Sequence, residues 1–122
     1  MVFTVLSHLF STVSILLMLL CILTPLVNKI PSGTASFLKK LVSYHSIYGI
    51  LLIAAACFHG VLAERSSAAK SGAVVWVFLV LLGISALLGK RMPKAVWKKI
   101  HISLSILVCV LVFAHVSLAV TS

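Results

Sequence analysis

Two apolar stretches of the chain share one histidine spacing: HSIYGILLIAAACFH at residues 45–59 and HISLSILVCVLVFAH at residues 101–115. Each stretch has a histidine at both ends, fourteen residues apart, and no Asp, Glu, Lys or Arg between them. Ionisable side chains are rare in strongly apolar segments and indicate a functional role when they occur there. These two stretches therefore decide both the class of fold and the kind of site to expect.

The composition around them indicates a membrane protein. Of 122 residues, 62% are hydrophobic and 9% are charged, far from the usage of a soluble domain. A helix needs roughly 20 apolar residues to cross the hydrocarbon core. The sequence has four charge-free runs of about this length, at residues 2–27, 41–63, 71–89 and 100–121. They predict an all-α, integral membrane four-helix bundle of up-down-up-down topology, with residues 1–122 forming a single transmembrane domain.

The first run is expected to be a spanning helix rather than a signal peptide. It has no basic segment at its start, is longer than a signal-peptide core and shows no small-residue cleavage site. Pro25 lies near the end of this run, and the residues that follow favour a loop; they are Asn28, Pro31, Ser32 and Gly33.

The basic residues predict the orientation in the membrane. Loops 28–40 and 90–99 share one side and carry eight of the ten Lys and Arg residues, whereas the middle loop has Arg65 and Lys70. By the positive-inside rule these two loops are cytoplasmic and both termini lie outside. We expect a prokaryotic cytoplasmic membrane, with anionic lipid rather than nucleic acid as the partner of the basic charge. Trp97 is predicted to anchor the inner boundary.

The histidines fall at two depths under this topology. The second and fourth helices run from inside to outside, so His45 and His101 lie near the inner face and His59 and His115 near the outer face. Fourteen residues of helix separate the two levels by about 21 Å and return to within about 40° of the same helix face. Each of these helices therefore carries a pair of histidines on one side.

Matched imidazoles on diagonal helices of a bundle predict haem ligation. Two such histidines at one depth can supply both axial ligands of a haem iron. We expect two haem b groups, an inner one on His45 and His101 and an outer one on His59 and His115. A C-x-x-C-H attachment motif is missing from the sequence, which predicts non-covalent binding.

Other residues near the histidines have weaker signals. Gly49 and Ala56 lie on the histidine face of the second helix, where small side chains allow a porphyrin to approach, although small residues also serve ordinary helix packing in membranes. His8 has no counterpart on another helix, and a hydrogen bond between helices is the simpler interpretation. The cysteines are expected to be buried small apolar residues rather than disulfide partners; they are Cys21, Cys57 and Cys109.

The stretch WKKIHISLSILVCVLVFAH at residues 97–115 and the stretch HSIYGILLIAAACFHG at residues 45–60 carry a family resemblance. With a basic loop, a Trp four residues before the first histidine and the second histidine fourteen further on, they resemble the ferric-reductase-like transmembrane domain. That domain occurs in ferric reductases, NADPH oxidases and related bacterial membrane cytochromes. The resemblance covers residues 41 to about 120 and implies a transmembrane electron conduit with the four histidines as axial ligands.

The sequence also departs from that family. Its members often have six or more helices and a fused flavin and nicotinamide domain, whereas this sequence has four predicted helices and no Gly-rich dinucleotide loop. We therefore expect the electron donor to be a redox partner protein or a quinol. We expect the chain to be a subunit of a larger redox complex, or a minimal relative of the family.

Two alternatives remain open, and a third is disfavoured. The chain is a structural or haem-holding subunit of a respiratory or photosynthetic complex without independent activity, or it is a quinone-reducing cytochrome subunit in which His8 contributes a hydrogen bond. A small four-helix multidrug transporter is disfavoured, because such a protein needs an ionisable group within the membrane for proton coupling. The one carboxylate of the sequence, Glu64, falls in a loop.

The predicted orientation can be tested with reporter fusions. Alkaline phosphatase fused after residue 122 should be active, because it needs the disulfide-forming exterior to fold. Green fluorescent protein fused at the same position should be dark, and after residue 40 the two reporters should behave in the reverse way. Fluorescence from the fusion after residue 122 would contradict the orientation.

Overall fold

The structure, a computed structural model, describes residues 2–31, 33, 36–63 and 69–121. Regular structure in these residues is helical throughout, which confirms the predicted all-α class. The helices are α1 (Val2–Asn28), α2 (Ser36–Val42), α3 (His45–Leu62), α4 (Ala69–Leu88) and α5 (Lys94–Thr121), with a 3-10 turn at Gly89–Arg91. Ser32, Glu64 and Arg65, which the loop and orientation predictions use, lie outside the described residues.

Four of these helices are long and apolar enough to span a membrane: α1, α3, α5, and α4 together with the turn that follows it. Their apolar surface faces outward rather than into a core. Among the most exposed side chains are Val61 at 77%, Leu87 at 80% and Val120 at 79%. In each span, no more than 17% of a strongly apolar stretch of 18 residues is buried within the protein. Apolar surface on this scale is covered by lipid in an integral membrane protein.

The chain forms two compact units, Met1–His59 and Gly60–Ser122. The first contains α1, α2 and most of α3. In this unit α1 and α3 are antiparallel, because Ser7 near the start of α1 contacts His59 near the end of α3, while Thr24 near the end of α1 contacts His45 at the start of α3. The first unit is thus an antiparallel helical hairpin with α2 in its connection.

The second unit is also an antiparallel hairpin, formed by α4 and α5. The contacts again run in reverse order, with Ser71 on His115 and Ser85 on His101. A buried residue lies in the middle of each helix, Leu79 at 5% and Val108 at 3% exposed. The prediction of one domain for residues 1–122 stays a prediction.

Helix α2 was not predicted, and the second span begins at His45 instead of residue 41. Side chains cap the end of α2 and separate it from α3. The Ser43 hydroxyl donates to the carbonyl of Lys40 at 2.5 Å, and the Tyr48 hydroxyl donates to that of Leu41 at 2.6 Å. These bonds satisfy carbonyls that a continuous helix would have paired with backbone N–H groups.

Pro25 is expected near the end of the first span, before the loop residues, and α1 continues through it to Asn28, one residue beyond the predicted end at residue 27. Proline is tolerated in membrane helices where nearby groups supply other hydrogen bonds. Beside it, the Thr24 hydroxyl donates to the carbonyl of Leu20 at 3.2 Å, which is a bond within the helix and does not replace the bond from Pro25 to the carbonyl of Cys21. The helix ends instead ahead of Pro31, whose ring disfavours helical geometry in the residue before it.

The last helix begins at Lys94, six residues before the predicted start at residue 100. The carbonyl of Pro93 accepts the N–H of Trp97 at 3.0 Å and so starts the helical ladder. The prediction followed the charge-free run, but charged residues limit the part of a helix that lies in hydrocarbon rather than the helix itself. Trp97 is therefore helical and lies one turn before His101.

Candidate metal centre

The four paired histidines differ from the fifth in their exposure. His45 and His59 on α3, and His101 and His115 on α5, are all half-buried, whereas His8 on α1 is exposed. Partial burial of an ionisable ring inside a membrane protein is costly unless the ring is hydrogen-bonded or ligates a metal. The structure therefore separates His8 from the other four, as the spacing in the sequence does.

In the first unit, α1 supplies hydroxyl groups to both histidines of α3. Thr24 Oγ1 lies 3.1 Å from His45 Nδ1, and Ser7 Oγ lies 3.0 Å from His59 Nδ1. The carbonyl oxygen of Ser7 is also 3.0 Å from His59 Nδ1. Ser7 itself is buried, with 7% of its surface exposed. Both imidazoles are thus held through the same ring nitrogen.

The second unit repeats this arrangement with α4 as the donor of hydroxyl groups. Ser71 Oγ lies 2.8 Å from His115 Nδ1, and Ser85 Oγ lies 3.4 Å from His101 Nδ1. In all four histidines, Nδ1 therefore contacts the oxygen of a Ser or Thr on the preceding long helix of the same unit.

The hydroxyl contacts of Thr24 and Ser85 determine which ring nitrogen carries the proton. Each hydroxyl donates its single proton to a carbonyl of its own helix, Thr24 to Leu20 at 3.2 Å and Ser85 to Leu82 at 2.6 Å. Having no second proton, each hydroxyl oxygen accepts from the paired imidazole. The imidazole Nδ1 must then be the donor in both contacts.

His59 has the same protonation for a simpler reason. The carbonyl of Ser7 can only accept, so His59 Nδ1 donates to it. When Nδ1 of a neutral imidazole bears the proton, the lone pair is on Nε2. Histidines that ligate metals commonly donate their other ring N–H to a protein oxygen in this way. For three of the four histidines, the hydrogen bonds select the tautomer that binds a metal through Nε2.

The histidines are evident from the sequence, whereas their oxygen partners are not. The spacing of Ser71 and Ser85 is fourteen residues, equal to that of the histidines, and is a signal that could have identified them. Ser7 and Thr24 are seventeen residues apart, so the corresponding pair in α1 shows no such match. In the sequence the only repeated feature is the histidine spacing. In the structure the hydrogen bond between each histidine and a Ser or Thr oxygen is repeated as well.

Glycine at position 72 allows the His115 ring to lie close to α4. A Cβ atom on Gly72 would lie 3.0 Å from Cε1 and 3.5 Å from Nε2 of His115. Contacts of 3.0 Å are tighter than side chains normally make, so a larger residue would push the ring away. Gly72, like the four oxygen partners, is a site residue that the sequence pattern did not indicate.

The predicted small residues around the histidines are less constrained. Gly49 is half-buried, and a Cβ atom there would meet nothing within 4 Å. Ala56 is also half-buried. There is space beside Gly49 for a larger group, but the proposed approach of a porphyrin to these two residues stays a prediction.

The cysteines form no part of this centre. All three are free thiols, but none is buried as predicted: Cys21 and Cys109 are half-buried, and Cys57 is exposed. Small apolar side chains can be exposed on a membrane-spanning helix, because lipid covers the apolar surface there. Within the described residues, no three or more His, Cys, Asp or Glu side chains converge to hold a bare metal ion.

Substitution of Gly72 should displace the His115 ring. We expect Gly72→Ala to lengthen the contact between Ser71 and His115 and to speed solvent exchange of the His115 ring N–H proton, measured by nitrogen-15 NMR of the purified protein. Gly49→Ala is the matched control, because its added methyl group meets open space. An unchanged His115 signal in Gly72→Ala would contradict the steric role of Gly72.

Comparison of this chain with family models, with curated proteins and with solved structures finds no match. The case for a function therefore depends on the pattern of the sequence and on the side-chain geometry within each unit.

Proposed function

We propose that this chain is a dihaem b-type membrane cytochrome that carries electrons across the bilayer. His45 and His101 are the axial ligands of an inner haem, and His59 and His115 those of an outer haem. This pairing is the one predicted from the sequence. The observation that supports the proposal best is the contact of all four imidazoles, through Nδ1, with a Ser or Thr oxygen.

The donor set fits a haem better than other metal groups. An axial ligand must present a neutral ring with a lone pair on one nitrogen and a fixed orientation. His45, His59 and His101 carry a proton on Nδ1, which leaves the lone pair on Nε2 for a metal. The hydrogen bond from each ring to a neighbouring helix fixes its orientation. Since haem iron needs only two protein ligands, histidine pairs suffice where a bare ion would need three or more.

The simpler explanation is that these hydrogen bonds only join helices. Such bonds in membrane proteins contribute on average about 0.6 kcal/mol each, and Ser, Thr or Asn would serve as well as His. Each hairpin has two half-buried imidazoles, and the spacing is the same in both. Placing four ionisable rings inside the membrane costs free energy that Ser, Thr or Asn would not. Ligation explains why the residue is histidine at each of the four positions.

When bound, b-type haem supplies a one-electron iron couple whose potential depends on its axial ligands and surroundings. The chain would contribute the rest. Its Ser and Thr oxygens keep a proton on Nδ1 of His45, His59 and His101, and stronger hydrogen bonds there make the ligands more basic. The fourteen-residue spacing on α3 and on α5 puts the two levels about 21 Å apart, which divides a hydrocarbon barrier of about 30 Å.

The orientation and the partners form part of the proposal. The basic residues at the end of α1, in α2, in the 3-10 turn and at the start of α5 mark the cytoplasmic side. A redox partner protein or a quinol supplies electrons, and the chain acts as a subunit of a larger redox system. Its apolar outer surface contacts lipid, which keeps water from the histidines.

A haem count tests the function directly. We expect the purified wild-type protein to contain two b haems per chain by the pyridine haemochrome assay, and His59→Ala to retain only one. His8→Ala is the matched control and should retain both, because His8 is exposed and outside the proposed ligand set. A colourless wild-type protein that cannot bind added haemin would disprove the function, and two haems in His59→Ala would disprove the pairing.

The oxygen partners of the outer histidines give a graded test. Ser71→Ala should weaken binding of the outer haem by about 10-fold to 100-fold, the usual effect of removing a hydrogen bond to a metal-ligating histidine. Ser7→Ala should weaken it less, because the Ser7 carbonyl still accepts from His59. The measurement is the rate at which haem transfers from each variant to apomyoglobin. Ser103→Ala is the control, because Ser103 is exposed. Equal retention by all three variants would contradict the role of these oxygens.

A further inference from the structure

Trp97 contacts both His101 and the residue that hydrogen-bonds to His101. The indole and imidazole rings are stacked, with centroids 5.3 Å apart and an angle of 22° between their planes. The indole Nε1–H donates to the carbonyl of Ser85 at 2.9 Å. The Ser85 hydroxyl lies 3.4 Å from His101 Nδ1. The ring of Trp97 and its N–H group thus hold two different parts of one hydrogen-bonded pair.

The turn after α4 is shaped to admit this indole. A Cβ atom on Gly89 would lie 2.5 Å from Nε1 and 2.7 Å from Cε2 of Trp97, distances that real Cβ atoms essentially never show. A residue with a side chain at position 89 would displace the indole. The close approach of Trp97 to Ser85 therefore depends on glycine at this position.

Anchoring at the membrane boundary, the role that the sequence suggests for Trp97, does not account for these contacts. An anchor needs only an amphipathic ring at the depth of the head groups. It needs neither a stacked imidazole nor a hydrogen bond to the carbonyl of Ser85, a residue with 7% of its surface exposed. The contacts instead restrict how the His101 ring turns and where its hydroxyl acceptor lies.

We propose that Trp97 is a positioning residue for His101, with Ser85 and Gly89 as the parts through which it acts. It holds the plane of the imidazole by stacking, and it holds the acceptor of Nδ1–H by its bond to the Ser85 carbonyl. The inference rests on the proposed function, because its consequence is the orientation and basicity of one axial ligand of the inner haem. The outer ligands, His59 and His115, are outside this cluster.

Two substitutions remove the effect of Trp97 in different ways. Trp97→Phe keeps an aromatic ring and loses the N–H group, whereas Gly89→Ala keeps the tryptophan and removes the space it needs. In both variants the hydrogen bond to His101 should weaken, which makes the ligand less basic and raises the potential of the inner haem. We expect up to about a tenfold change in the redox equilibrium, which is 59 mV for one electron.

The experiment is a redox titration of the purified dihaem protein with electron paramagnetic resonance spectra of the oxidised form. The g values of a low-spin haem report how its imidazole planes are oriented, and boundary anchoring would not change them. We expect one of the two haem signals and one potential to shift in both variants, while the other haem is unchanged. Phe113→Leu is the control, since Phe113 lies on α5 and is 75% exposed.

The outcomes separate this inference from the proposed function. Wild-type protein without haem refutes the function. Two haems in the wild type, with potentials and g values unchanged in Trp97→Phe and Gly89→Ala, refute the role of Trp97 alone. Loss of only the inner haem, with the helical circular dichroism intact, supports the role of Trp97, just as a shift in the potential or g values of the inner haem does. If Gly89→Ala fails to fold, Trp97→Phe decides the question.

Discussion

The hydrogen bond between a histidine Nδ1 and a Ser or Thr oxygen is the interaction on which the structure of each unit depends. Lipid is as apolar as the helix surfaces, so burial of apolar side chains does little to hold two membrane helices together. Polar contacts and close packing must do this instead. In each hairpin two such bonds tie the helices at two separate points along their length. The same bonds orient the imidazoles, so folding and preparation of the proposed ligands are one event.

The two hairpins reach this result with different packing. In the second unit, glycines near the two ends of α4 let rings approach: Gly72 accommodates His115 and Gly89 accommodates Trp97. In the first unit an aromatic pair lies beside the outer histidine, with the rings of Phe10 and Phe58 stacked at 5.4 Å. A stacked pair is worth about 0.5–1.5 kcal/mol beyond its area. The two hairpins therefore hold their imidazoles by the same kind of hydrogen bond but with different packing around the rings.

Many of the elements were predictable because they depend on local composition. Charge-free runs of about 20 residues are typical of membrane helices, because a helix satisfies its backbone polar groups within the segment. The boundaries were less predictable. Helix α2 was missed, α3 began at His45 and α5 began at Lys94. Side-chain hydrogen bonds and prolines decide where a helix ends, whereas charge decides where hydrocarbon ends.

The sequence by itself determined the all-α membrane class, the four spans and the set of four histidines that differ from His8. These follow from hydrophobic runs and residue spacing, which are properties of single helices. Only the tertiary structure decided which oxygen meets each imidazole, which nitrogen bears the proton in His45, His59 and His101, and that Trp97 stacks on His101. Those contacts depend on how two packed helices are aligned side by side. The sequence does not reveal this alignment, because serine, threonine and tryptophan occur in membrane helices for many other reasons.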